Sequence, residues 1–220
     1  MSTTIDSWFP WVLPYVPGAT DLIAIQAIRS AANEFCILTD LVQRVITEDC
    51  TANVEDYTIT PPTDMELSRV LSVSWQGKVL GPASPAQVMQ DIVLRGAAVG
   101  SATPVSGNPM WFLQKTPTDS GFSLYPVPDT TLTLGLTVKA SFNANNAATT
   151  LDDNLYADWV DEIAAGAISN LMGMPGQPFS NDKLMATYER EYRDGVRRAR
   201  RQKNTGKLSI ELRVAPRAFA

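Results

Sequence analysis

Helical periodicity at both ends of the chain, a two-residue period through its middle, and strands grouped together rather than alternating with helices predict an α+β protein. The predicted arrangement is a helical bundle, built from one N-terminal helix and a C-terminal αα-hairpin. An antiparallel β-sheet module is inserted between them, and an extended C-terminal arm follows. The corresponding segments are residues 1–37 (arm and first bundle helix), 38–149 (β module with one short helix), 150–204 (hairpin) and 205–220 (arm).

The hairpin organises the rest. Thr150 with Asp153 three residues on has the pattern of a helix start. Leu155, Trp159, Ile163, Ala167 and Leu171 recur every four residues beside Tyr156, Val160, Ala164, Ile168 and Met172, which makes a broad apolar face. Gly173, as a left-handed C-cap, and Pro175 are expected to end the helix. Ser180 is expected to cap a second one carrying Leu184, Met185, Tyr188, Tyr192, Val196 and Ala199 on its buried face. The run Ala164-Ala165-Gly166-Ala167 would let another helix approach closely, the steric reason for tolerating a glycine that costs about 1 kcal/mol against alanine.

Residues 1–18 carry Trp8, Phe9, Trp11 and Tyr15 among Pro10, Pro14 and Pro17. They predict a stiff, non-helical arm that lies in a groove of its own body or makes a subunit or tail contact. Thr20 can cap a helix from about residue 21 to 35. From residue 38 the period becomes two-fold: 41–47 and 54–59 read as a hairpin, 67–75 as a third strand, and Gln76-Gly77-Lys78 as a turn. Ser84-Pro85 starts a short helix over 85–94. After a glycine-rich loop, strands are expected over 110–115, 122–126 and 131–142, giving five or six antiparallel strands in all. Residues 208–214 alternate like a strand with no partner left in their own chain.

At 220 residues and 45% apolar composition the chain can bury a full core without disulfides or metals. Cys36 and Cys50 fit buried free thiols in a reducing compartment; a bridge between them has little weight. Trp8 to Val16 is broken by prolines and lacks a basic flank, and no apolar run reaches a membrane span, so a soluble cytoplasmic product with no membrane partner is expected. Charge is uneven. Residues 181–220 hold eleven Lys/Arg against five acids, +6, whereas residues 1–180 hold seven against eighteen, −11, within a net −5. The pattern suggests a basic tail with an anionic partner on an acidic body.

The chain has no histidine, which removes the commonest general base and metal ligand. Serine elbows, phosphate loops and C-x-x-C spacing are absent. Asp158, Asp161 and Glu162 share a helix side and could hold a cation or serve a carboxylate-dependent hydrolase, but acids opposite an apolar stripe are ordinarily its solvated face. No catalytic, cofactor-binding or metal-ligating residue is assigned, and no cofactor. The run Arg193, Arg197, Arg198, Arg200, Arg201, Lys203 is either a solvated helix end or a docking or nucleic-acid surface, the five arginines favouring bidentate contact with carboxylate or phosphate. Without interleaved aromatics it is no reader of single-stranded bases, and the overall pI near 4.8 opposes a non-specific DNA-binding module.

Four segments together resemble a known family. They are Ala31-Ala32-Asn33-Glu34-Phe35-Cys36, Leu71-Ser72-Val73-Ser74-Trp75-Gln76-Gly77-Lys78-Val79-Leu80, Leu124-Tyr125-Pro126-Val127-Pro128-Asp129, and the run from Trp159 through Ile163-Ala164-Ala165-Gly166-Ala167 to Leu171-Met172-Gly173-Met174-Pro175-Gly176-Gln177-Pro178-Phe179-Ser180. In that order and spacing the chain resembles the head-to-tail adaptor (connector, neck) proteins of tailed bacteriophages, of the tail-tubular-protein-A type, over about residues 21–204. The resemblance implies a non-enzymatic virion protein: a homo-oligomeric ring, twelvefold, joining the portal protein to the tail hub or nozzle. DNA passes non-specifically through its channel. It would be assembled in the host cytoplasm and sit at the head–tail junction. A C-terminal arm would insert into the portal, which makes Arg193, Arg197, Arg198, Arg200, Arg201, Lys203, Leu208, Ile210, Leu212, Arg213, Val214, Arg217 and Phe219 the expected portal-docking residues. Trp8, Phe9, Trp11 and Tyr15 are the expected subunit or tail contacts. A connector or tail-completion protein of a long-tailed phage is the alternative within viral assembly.

Overall fold

Two prolines that look like breakers instead begin turns of helix. In the computed structural model, which describes residues 2–94, 105–114 and 120–205, β1 (Ser2–Thr4) runs into a 3-10 turn (Ile5–Trp8), a short helix α1 (Phe9–Val12) and a second 3-10 turn (Leu13–Tyr15). Pro10 and Pro14 each occupy the first turn of their helical piece, where the missing N–H has no carbonyl to meet. The non-helical reading of residues 1–18 is therefore corrected.

The chain continues as α2 (Asp21–Thr39), β2 (Gln43–Cys50), β3 (Asp56–Thr58), β4 (Met65–Trp75), β5 (Lys78–Val79), β6 (Gly81–Pro82) and α3 (Pro85–Leu94). Then follow β7 (Trp111–Leu113), β8 (Gly121–Tyr125), β9 (Leu132–Ala144), β10 (Thr150–Asp152), α4 (Asp153–Met172) and α5 (Asp182–Thr205). The protein is α+β. Its strands form two four-stranded sheets, β2-β9-β4-β5 and β3-β8-β7-β6, and a two-stranded pair, β1-β10. Among the described residues that is more strands than expected, and β6 runs parallel to β7, so the purely antiparallel expectation is also corrected.

The expected hairpin of 41–47 with 54–59 does not form. β9 is long enough to pair along both edges, with β2 (Gln43↔Ser141 to Cys50↔Leu132) and with β4 (Met65↔Ala144 to Trp75↔Leu136). Its inward residues Leu136, Val138, Ala140 and Phe142 are completely buried, and α2 packs against it. Joining this buried strand hides more apolar surface than a local hairpin could. Asn53, at φ 63°, turns the chain so that β3 joins β8 in the other sheet. Gln76 and Gly77, both at positive φ, make the tight turn from β4 to β5 that the sequence predicts. Ser84 and Gln87 cap α3 reciprocally, each side chain accepting the other's backbone N–H.

Two predicted caps shift by one or two residues, and a third, Gly173, stays in place with a different conformation. Asp64 collects the amides and hydroxyls of Thr149 and Thr150 on one carboxylate oxygen. That pulls residues 150–152 into β10, and Asp152 caps α4 instead, accepting the amide of Asn154 at 3.0 Å. Gly173 ends α4 in right-handed conformation, and the left-handed residue is Gly176, φ 77°. The Ser180 hydroxyl donates to the carbonyl of Met172, leaving Asn181 to cap α5 through the amide of Leu184.

α4 packs between α2 and α5 where the small run allows it. A Cβ at Gly166 would lie 2.7 Å from the ring of Tyr192 and 3.2 Å from the Cβ of Ala31. The Tyr192 hydroxyl donates to the carbonyl of Ala31 at 3.1 Å, so the ring cannot retreat without losing that bond. Phe35 fills the same junction, 5.5 Å from Trp159 and 6.2 Å from Tyr192 between ring centres. The apolar row of α4 is buried as expected; on α5 Tyr192, Val196 and Ala199 are buried but Leu184 is exposed. α2 is the one helix among the described residues long and apolar enough to cross a membrane, which the sequence reading missed. Its face from Ala24 through Ile28 and Ala32 to Phe35 is instead inside the protein's own core.

Candidate docking surface

The basic run lies on the last three turns of α5, and its cations have partners in their own chain. Arg193 pairs with Glu189, Arg197 with Asp194 at 2.8 Å, and Arg198 with Glu162 at 2.6 Å. The Arg200 Nε donates to the carbonyl of Leu38 at 2.7 Å, Lys203 meets Asp40 at 2.9 Å, and Arg201 also has a partner. Arg193, Arg197 and Arg198 keep about two-thirds of their side-chain surface in water. The Arg193–Glu189 and Arg197–Asp194 pairs, exposed on both sides, are worth about 0–1 kcal/mol each, so an incoming carboxylate or phosphate can displace them at small cost, whereas Arg198 holds a Glu162 that is only 11% exposed.

The inner two contacts differ. Asp40 is buried at the left-handed C-cap of α2, φ 49°. One carboxylate oxygen takes Lys203; the Nε of Arg69, on β4, stands 2.9 Å from the other without the alignment of a hydrogen bond. A buried aspartate thus ties the end of α5 to α2 and to the sheet. Nothing in the sequence marks it, because its partners lie 29 and 163 residues away.

Beside the run lies a groove of about 580 Å³ where α2, α4 and α5 meet, lined by Leu38, Gly166, Met185 and Val196 and by Arg193, Arg197 and Arg200. Leu208, Ile210, Leu212, Arg213, Val214, Arg217 and Phe219 lie outside the described residues.

The N-terminal aromatics divide. Trp8 is wholly buried, edge-on to Tyr156 at 4.9 Å, so it is spent within its own chain and is corrected as an intermolecular contact. Phe9 is half-buried against the core. Trp11 and Tyr15 remain exposed, Tyr15 packing edge-on against Tyr188 of α5.

Of the acids, Glu162 is engaged by Arg198 and Asp161 is exposed; no cluster of three potential metal ligands occurs among the described residues. Cys36 and Cys50 are buried and free, and burial with Asp152 nearby pushes the Cys36 thiol up to about 12, the opposite of an activated nucleophile. No family model matches the chain, and no curated protein is similar to it.

Proposed function

We propose that the chain is a structural subunit of a head-to-tail adaptor ring in a tailed bacteriophage, without catalysis or cofactor. Twelve copies would stand between the portal protein and the tail hub or nozzle at the head–tail junction, after assembly in the host cytoplasm, and DNA would pass through the channel. In this reading α2, α4 and α5 form the bundle that meets neighbouring subunits, the β sheets are its inserted module, and the C-terminal arm enters the portal.

The observation that carries the reading is the run from Trp159 to Ser180. Its glycine seat for a crossing helix and its Gly/Pro turn are the strongest part of the resemblance, and both have a packing role here rather than a chemical one. The acidic body fits a channel that DNA slides through without sticking. The exposed arginines of α5, weakly paired and leading straight into the arm, fit a docking surface. Ending the chain after Asn204 tests the arm: the truncated protein is expected to fold and lose portal binding, and undiminished binding contradicts the assignment.

A further inference from the structure

We infer that the arginine-lined groove where α2, α4 and α5 meet receives the acidic flank of a second copy of this chain. The inference rests on the reading of the chain as a ring subunit, names the two surfaces that meet, and takes Arg193 and Arg197 out of the portal-docking set to give them to the neighbouring copy. α5 has a different charge on each side. Arg193, Arg197 and Arg200, spaced three and four apart, share the side that faces the groove formed with α2 and one side of α4, where with Glu34 and Glu189 they give the lining a net +1, Arg197 reaching across the helix to Asp194. Glu191, Asp194 and Arg198 share the other side, which meets α4 along its opposite flank. There they join Asp161 and Glu162 around a shallow concavity of about 330 Å³ whose charged residues sum to −3.

Opposite charges on opposite flanks of one helix let the basic side of one copy meet the acidic side of another. In the ring reading that contact is heterologous: each subunit offers its basic side to one neighbour and its acidic side to the next, around a rotation that closes. The groove also has something to bury, because Leu38 and Met185 in its lining are only partly covered by their own chain. The arginines need no new geometry to switch partners. Arg193 and Arg197 are 68% and 70% exposed and, among the described residues, are held by acids one turn earlier on their own helix. A neighbour's carboxylates would add pairs across the contact, steering the approach and setting the register.

The test is the mass of the full chain by light scattering and sedimentation across a concentration series. Wild type, Arg193→Glu/Arg197→Glu, Asp161→Arg/Glu191→Arg and an equimolar mixture of the two variants are compared, with circular dichroism to verify folding. Wild type is expected to associate, and raising NaCl from about 0.05 to 0.5 M to weaken association at least about tenfold by screening. Each variant alone, with both flanks of one sign, is expected to stay monomeric, and the mixture to recover association. Wild type that is monomeric throughout overturns the inference while portal binding still tests the adaptor reading. Association unchanged in both variants keeps a homomeric assembly but overturns this pairing of flanks. Should a variant misfold, the salt dependence of wild type decides: salt-independent association refutes the charge pairing.

Discussion

Replacing Asp40 by Asn isolates the electrostatic junction that ends α5. Asn matches Asp in shape and tolerates the left-handed φ of 49°, so the backbone stays unstrained and only the charge is lost. Cutting one partner from a fully buried pair costs about 3–5 kcal/mol, and cutting an exposed pair costs about 0–1. Here the aspartate is 7% exposed, while Lys203 and Arg69 are 27% and 52% exposed and regain water when abandoned. The Lys203 leg is therefore worth about 1.5 kcal/mol and the Arg69 leg about 0.5, a loss of about 2 kcal/mol. With a urea m-value of about 2.5 kcal/mol/M the unfolding midpoint falls by about 0.8 M. Hydrogen exchange in the last turn of α5 should accelerate well beyond that in α4, because Lys203 is lost as a tether. A midpoint within about 0.2 M of wild type, or uniform acceleration, refutes the junction as the anchor of α5.

Three further outcomes follow from the packing. Trp8→Ala is expected to cost about 3–5 kcal/mol in denaturant unfolding. Trp8→Phe keeps a ring, leaves a smaller cavity and has no hydrogen bond to lose, because the indole N–H has no partner among the described residues, so it should cost clearly less than Trp8→Ala. Equal losses would contradict that account. Gly166→Val forces a branched side chain against the Tyr192 ring and should cost about 1–3 kcal/mol, an overpacking penalty that a neutral result would disprove. The threonine hydroxyls and amides hold Asp64 below its ordinary 3.8. A carboxyl lowered in the folded state stabilises it fully above the unfolded value and ceases to as pH falls through the folded one. Acid titration of stability should thus show a component below about pH 4 that Asp64→Asn removes, and an unaltered profile counts against the clamp.

The helices were legible because their signals are local. The four-residue apolar rows of α4, the Ser84-Pro85 start of α3 and the small run at Gly166 each depend on neighbours within a turn or two. What escaped the sequence depends on distant partners. The cap of α4 moved to Asp152 because Asp64, some 85 residues away, captured Thr149 and Thr150. β2 deserted its expected hairpin for β9, nearly a hundred residues on, since a long buried strand offers both edges. Prolines misled in the arm, where the same lack of an N–H that breaks a helix suits its first turn. On the docking surface, the basic run was readable from composition, but the groove beside it and the buried Asp40 beneath it exist only once α2 and α5 pack.

The most direct test of the adaptor reading is light scattering after size exclusion, on this protein alone and then mixed with the portal ring of the same particle. One complex holding a subunit of this chain for each portal chain is the predicted result. Failure of the two to co-elute at any mixing ratio would contradict portal docking and move the protein elsewhere.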